Sequence, residues 1–551
     1  MIQTATSGRY KSVLTTVALV ALAAGSARAA QSTDDVATPA PGAPTVVAPT
    51  DGQPPLPPPV VTSVPAPQQP APPPLPPPPG ERVRAGATEV APSTEIPTTP
   101  VVTTPSWFTR APLRLVLGSQ DKSWAVTFFG IVQSDYITDT TRSYNEIIGG
   151  SLVARSDTYE GTTGRTQFSM RNTRFGFMLD SPVIGGWTPS AVLQGDFAGN
   201  QPGVPYVPPG QAGPSPIPEN AYFGSPTFRV RHAYIALKSR YVDVLAGQTF
   251  DLFGWQSFYL GFSLLGLPNQ VSSRNAQFRL SRTFGAGGPV SVDVAVEAAR
   301  PGQRDSMIPD IQGGIRFTVN GWKGITTPGN AITVAAPLSL GISGVTRQFN
   351  VNAFAPPPAQ SSNQTTGWGA SFDLFVPVIP AKSVDDRGNR LTLIGSFVIG
   401  TGIADLIAAG GGARFPTLPN PMQQSPPPDY TPNVDNGLVS FDLRGVVHTI
   451  DWWAAKGSLQ YYLPGQGRFA IAGNFTFAES NNIGKLFPQG GTEIELLGAV
   501  ADQSLSGDGT FIWDATPAIR FGLSGQYTQV RYLDGSKPHN IRGIGQAVYI
   551  F

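Results

Sequence analysis

From Trp124 to its last residue, this 551-residue chain repeatedly alternates apolar and polar side chains with a period of two. Over 518–528 one parity carries Ile519, Phe521, Leu523 and Tyr527, and the other Arg520, Gly522, Ser524, Gln526 and Thr528. Val292, Val294 and Val296 oppose Ser291, Asp293 and Glu297, and Ile311, Ile315 and Phe317 oppose Asp310, Gln312 and Arg316. Trp368, Phe372, Leu374 and Val376 oppose Ser371 and Asp373, while Phe469, Ile471, Phe475 and Phe477 oppose Ala470, Ala472, Asn474 and Thr476. A period of two is the signature of extended strands, because successive side chains point to opposite faces of a sheet. A soluble sandwich alternates as well. Here the polar parity repeatedly carries Arg, Asp, Glu and Gln, so the apolar parity is expected to face lipid and the polar one an enclosed lumen.

The start of the chain supports export. Arg9 and Lys11 precede an apolar stretch over 13–25, and Ala27-Arg28-Ala29 follows as a cleavage site, so 1–29 is expected to be a signal peptide. No later segment offers the ~20 unbroken apolar residues of a spanning helix. The remaining way to satisfy every backbone group in lipid is a closed sheet. Composition agrees: charged residues make up 13%, against about 25% in soluble chains. A net charge of +1 gives no footing to a nucleic-acid partner. With no cysteine, disulfides, thiolate catalysis, Cys-ligated zinc and a lipidated N-terminal Cys are excluded. His232, His448 and His539 are scattered and read as surface or rim residues. No nucleophile, metal or phosphate-loop motif occurs, so neither a cofactor nor an enzymatic activity is expected.

Residues 30–123 are expected to be a disordered, proline-rich periplasmic tether with the runs 54–59 and 72–79 at its centre. Proline lacks the N–H of helix and sheet ladders and favours extended polyproline II. Roughly 70 such residues at about 3.1 Å each reach ~200 Å. Two readings stay open: a spacer that touches peptidoglycan or a periplasmic protein, and an inert linker.

Residues 124–551 are expected to form an all-β transmembrane antiparallel barrel of about 16 strands, an even number as bacterial barrels require. Connections after odd strands are long and those after even strands short, which places both termini in the periplasm of a bacterial outer-membrane protein. The connections after the seventh and fifteenth strands are short for their side. The last strand sets Ile541, Gly543, Gly545, Ala547, Tyr549 and Phe551 on one face. Its terminal aromatic pair, Tyr549 and Phe551, resembles the signal read by the barrel-assembly machinery.

Several segments resemble the DcaP-like trimeric porins of Gram-negative outer membranes. They are 128–136 (FFGIVQSDY), 172–177 (NTRFGF), 194–197 (QGDF), 229–234 (RVRHAY), 245–249 (LAGQT), 271–279 with Arg274-Asn275, and 459–464 (LQYYLP). The similarity covers about 124–320 and weakens beyond it. It implies a 16-stranded homotrimer passing small, often anionic solutes. The family carries a helical N-terminal extension where this chain is proline-rich, so an oligomerising role for the extension is not carried over.

Alternation puts Arg174, Arg229, Arg231, Arg279, Arg316, Lys456, Arg520 and Arg542 on the lumen side, with Asp196, Asp293, Glu297, Asp310 and Asp373. Either this basic wall favours anions, or the arginines pair with the acids and order the lumen. Arg171 and Arg282 fall on the outward parity, which requires a bulge, a rim or a subunit contact. The segment 252–275, with Phe253, Trp255, Phe258, Tyr259 and Arg274, is expected to fold inward as a constriction loop and offer a greasy contact to a solute's carbon skeleton. Packing on a neighbouring subunit or into its own cluster is the alternative. The expected function is an outer-membrane diffusion porin for small hydrophilic, preferably anionic organic solutes. The competing readings are a structural or adhesion barrel tethered to the wall and, less favoured, a barrel hydrolase, for which no catalytic constellation is visible.

Overall fold

The computed structural model describes residues 113–118, 123–144, 146, 153–199, 226–303, 306–328, 332–352, 362–407, 434, 437–442, 446–486 and 500–551. The expected signal peptide and most of the expected tether lie outside the described residues.

The strands are β1 (Leu113–Leu117), β2 (Trp124–Asp139), β3 (Arg165–Ser169), β4 (Arg174–Asp180), β5 (Thr188–Gly199), β6 (Thr227–Lys238), β7 (Asp243–Phe250), β8 (Arg274–Phe284), β9 (Val290–Ala299), β10 (Asp310–Thr326), β11 (Val334–Asn352), β12 (Ser362–Ile379), β13 (Arg390–Thr401), β14 (Val439–Phe441), β15 (Val447–Thr449), β16 (Asp451–Tyr462), β17 (Phe469–Ser480), β18 (Ala501–Thr516), β19 (Ile519–Tyr532) and β20 (His539–Ile550). Apart from the small β14–β15 hairpin, each strand pairs antiparallel with its sequence neighbour in one sheet, and β20 returns to pair with β2 from Ile131↔Ile550 to Asp139↔Arg542. β3 and β4 are two halves of one wall strand, because β2 pairs with β3 through its second half and with β4 through its first. The ring therefore has sixteen members, as expected. Closure leaves no edge to aggregate.

Burial is inverted relative to a soluble protein. Along β19 Ile519, Phe521, Leu523 and Tyr527 are exposed, while Arg520, Ser524, Gln526 and Thr528 are buried. Along β10 Ile311, Ile315 and Phe317 are exposed, while Asp310, Gln312 and Arg316 are buried. Apolar surface turned outward all round a closed sheet is stable only against hydrocarbon. Short connections such as 239–242, 463–468 and 517–518 join strands at one rim, and the chain leaves the opposite rim at 251 and returns to it at 273. Positive φ angles at Gly185, Gly186, Gly465 and Gly467 permit the tight turns.

Two features of the seam refine the expectation. Phe551 exchanges backbone hydrogen bonds with Gly130, at 3.0 and 3.1 Å, and its ring lies 5.1 Å from Phe128. A side chain at 130 would strike that ring, so glycine is required there. Below this point β20 has ended, and β1 takes its place on the edge of β2, from Leu113↔Phe128 to Leu117↔Trp124. Residues 113–117, expected within the disordered tether, are thus a strand. Their short alternation was masked by the prolines before them.

Candidate pore and constriction loop

After β7 the chain turns into the lumen. The Leu252 N–H donates to Glu297 of β9 (3.0 Å), the Phe253 N–H to Gln312 of β10 (2.6 Å), the Gly254 N–H to Ser343 of β11 (2.8 Å) and Trp255 Nε1 to the Ile342 carbonyl (3.1 Å). Farther along, Lys456 Nζ donates to the Tyr259 carbonyl and Asn474 Nδ2 to the Phe262 carbonyl. Gln546 of β20 donates to the Leu264 carbonyl (3.2 Å), and Asn269 donates to the Ser504 carbonyl (3.2 Å). The loop therefore lines the inner wall from β9 round to β20. Glycines in that wall act as sockets. A Cβ at Gly341 would lie 2.9 Å from both Trp255 and Tyr259, one at Gly314 2.9 Å from Trp255, and one at Gly522 2.6 Å from Leu264.

The loop folds inward, but its larger aromatics do not face the open lumen. Phe253, Trp255 and Tyr259 are buried against the wall, while Phe258 and Leu265 stay partly exposed. The expected greasy contact is therefore corrected for those three residues: they hold the loop in place. Arg274 is not in the loop but opens β8, with its guanidinium 4.6 Å over the Phe250 ring.

Most inward charges sit in ion pairs. Arg279 meets Glu297 at 2.6 Å, Arg316 meets Asp293 at 2.6 Å, Arg520 meets Asp514 at 2.7 Å and Arg542 meets Asp139 at 2.8 Å. Ser371 donates to Asp373 at 2.7 Å. Arg316 also lies 3.5 Å above the Phe258 ring. Arg347, which the sequence pattern missed, is buried between Asp310 (2.7 Å) and Asp405 (2.5 Å). Arg171 lies in the break between β3 and β4, buried 2.7 Å from Glu146, so its outward parity is cancelled by the turn at 170–173. Arg282 remains outward, its guanidinium 3.4 Å from the Ser239 carbonyl.

These pairs hold the wall together. Arg347→Met is expected to cost about 3–5 kcal/mol, because the buried Asp310 and the largely buried Asp405 lose their cation. Urea unfolding in lipid vesicles measures it, and adding Asp310→Asn should recover part of the loss.

One part of the wall differs. Arg174 of β4, Arg229 and Arg231 of β6 and Arg274 of β8 are all only partly buried. They lie near one another around Asp196 of β5. Asp196 accepts from Arg229 (2.7 and 2.9 Å) and from Arg231 (2.6 Å). The grouping depends on a bulge at Arg231: Gln194 pairs with His232 but Gly195 with Val230, so residues 231 and 232 both escape strict alternation. His232 is turned inward, with Nδ1 2.9 Å from Thr249 Oγ1. The loop opposite adds no countercharge, since 252–273 holds no Asp, Glu, Lys or Arg. Its flanking Asp251 is held by Ser273 (2.6 Å) and Asn275 (2.7 Å), and burial pushes its carboxyl above the ordinary range.

The fold and this interior define a sixteen-stranded transmembrane barrel narrowed by an inward loop. No protein-family model matches the chain, and no curated protein sequence does. Among solved structures, it is similar to the outer membrane channel DcaP of Acinetobacter baumannii, with a TM-score of 0.50 and 14% identity over 78% of this chain and 97% of that one. The anion-selective porin from Comamonas acidovorans aligns with a TM-score of 0.42 and 9% identity, covering 78% of this chain and 100% of that one. Pseudomonas putida OprB gives 0.41 and 11%, covering 77% and 94%. The likeness to DcaP is one of fold, and it agrees with the family resemblance read from the sequence.

Proposed function

We propose that this chain is an outer-membrane diffusion porin that prefers small anionic organic solutes. The observation that carries the proposal is the asymmetry of the constriction. The loop covers the wall from β9 to β20, and the wall from β4 to β8 presents Arg174, Arg229, Arg231 and Arg274 against Asp196. An excess of guanidinium groups beside a neutral loop concentrates anions in the narrowest section. Arginine keeps its charge at any accessible pH. DcaP of Acinetobacter baumannii is an outer membrane channel, which suits this reading.

Residues 1–29 act as the export signal and the proline-rich segment as a periplasmic arm, with both termini in the periplasm. The barrel works as a homotrimer, for which the outward side of β3–β6 is suited. Phe168 there is 71% exposed, and Phe175, Phe197 and Phe228 form a triangle with 6.1 Å between ring centres. Recording from the purified protein in planar bilayers under a KCl gradient tests the proposal. A barrel that passes no current refutes the porin, and a cation-selective reversal potential refutes the anion preference alone.

A further inference from the structure

Three parallel rows cross the inner face of β4, β5 and β6. The first is Arg174–Asp196–Arg229, directly paired across the strands. The second, toward the short-turn rim, is Gly176–Gln194–His232, and the third is Met178–Val192–Tyr234. On β4 and β5 the first and third rows are four residues apart, about 13 Å at the rise of a strand. Val192, Tyr234 and Leu245 of β7 are buried in one apolar cluster, and Phe129, Met178 and Ala236 pack against it while partly exposed. Gly176 makes room for it: a Cβ there would lie 2.9 Å from the Phe129 ring.

An apolar shelf on the lumen parity needs a reason, because that parity is polar along most of the barrel. Loop packing does not supply one, since the loop's bonds to the wall run from β9 to β20. The shelf instead lies two rows below the arginines on the same strands, across the row of Gly176, Gln194 and His232.

We infer that Phe129, Met178 and Ala236, a partly exposed shelf seated on the buried Val192, Tyr234 and Leu245, form one bipartite solute site with the arginine row above them. The guanidinium groups take a carboxylate and the shelf takes an apolar body. The solutes favoured are monocarboxylates with a body the size of hexanoate or benzoate, lying along the strands with the carboxylate toward the long-loop rim. This rests on the anion-preferring porin reading and specifies its substrate class.

Block of the chloride current by acetate, butyrate and hexanoate in planar bilayers tests the site. A fully buried methylene strengthens binding by up to ~4-fold. Partial cover by a shelf should then lower the half-blocking concentration roughly tenfold from acetate to hexanoate. In the double variant Met178→Gln/Val192→Thr, which keeps side-chain size, that dependence should flatten to under about twofold with acetate unchanged. Equal block by acetate and hexanoate in the wild-type channel overturns the inference while leaving anion preference standing. So does a double variant, shown folded by its heat-modified gel shift, that keeps the full chain-length dependence. Absence of block by any carboxylate, with a cation-selective reversal potential, counts against the porin reading itself.

Discussion

A channel lacking residues 254–266 is expected to conduct roughly threefold more current than the intact one, because a sixteen-stranded ring without a filled interior encloses a wide aqueous path. The structure explains why the intact loop cannot be a loose flap. Its backbone is tied to β9, β10 and β11 at its start and to β16, β17, β18 and β20 farther on. Its rings occupy glycine sockets that no other residue leaves open. The same result should follow without deletion from Gly341→Leu, whose side chain fills the space of both Trp255 and Tyr259. Overpacking of this kind forces neighbours out of place at ~1–3 kcal/mol. Expulsion of two rings then releases the first half of the loop. Single-channel recording decides. An unchanged conductance in both variants means that the current passes elsewhere and that the loop is not the constriction.

How far such a channel is legible in its sequence depends on the range of the interactions involved. The sixteen strands and the long and short connections follow from local alternation and turn residues, most strand ends to within a few residues. Errors arise where alternation is interrupted. β10 runs on to Thr326 past a register shift between Val319 and Lys323, where Asn320 and Gly321 look like a turn. β11 extends to Asn352, which carries Arg347 into the lumen, where the alternation reading placed no arginine. At Arg231 the bulge turns His232 inward, against its parity. The loop's inward course was readable from its length, but the direction of its rings was not. Trp255 is positioned by Gly314 and Gly341, far along the chain, and no local pattern connects them. The pairing of inward charges is nonlocal in the same way. It gathers four arginines around the single carboxylate of Asp196 on one wall, where alternation alone gave a basic set spread over the second, fourth, sixth and eighth strands.

Neutralising that wall should abolish the preference for anions. With Arg174, Arg229 and Arg231 all changed to Gln, the cluster keeps Arg274 and Asp196, and its local excess of positive charge falls to about zero. A cation ~4 Å from a monovalent anion in water contributes about 1 kcal/mol, or roughly fivefold in local concentration. In a narrow lumen with low-dielectric walls the contribution is larger. Loss of three should lower the anion-to-cation permeability ratio at least tenfold, an order-of-magnitude figure. Arg282→Gln, on the outward face of β8, should leave the ratio unchanged. In the intact channel the preference should also fade toward 1 M salt, where the screening length is about 3 Å. Changing Arg279 or Arg542 should not mimic the triple variant. Each is held by its own carboxylate, Glu297 or Asp139, so its removal costs stability before it costs selectivity. If the triple variant folds and keeps its reversal potential, the seat of selectivity lies outside β4–β8, and the matched pairs would have to carry it despite their neutrality.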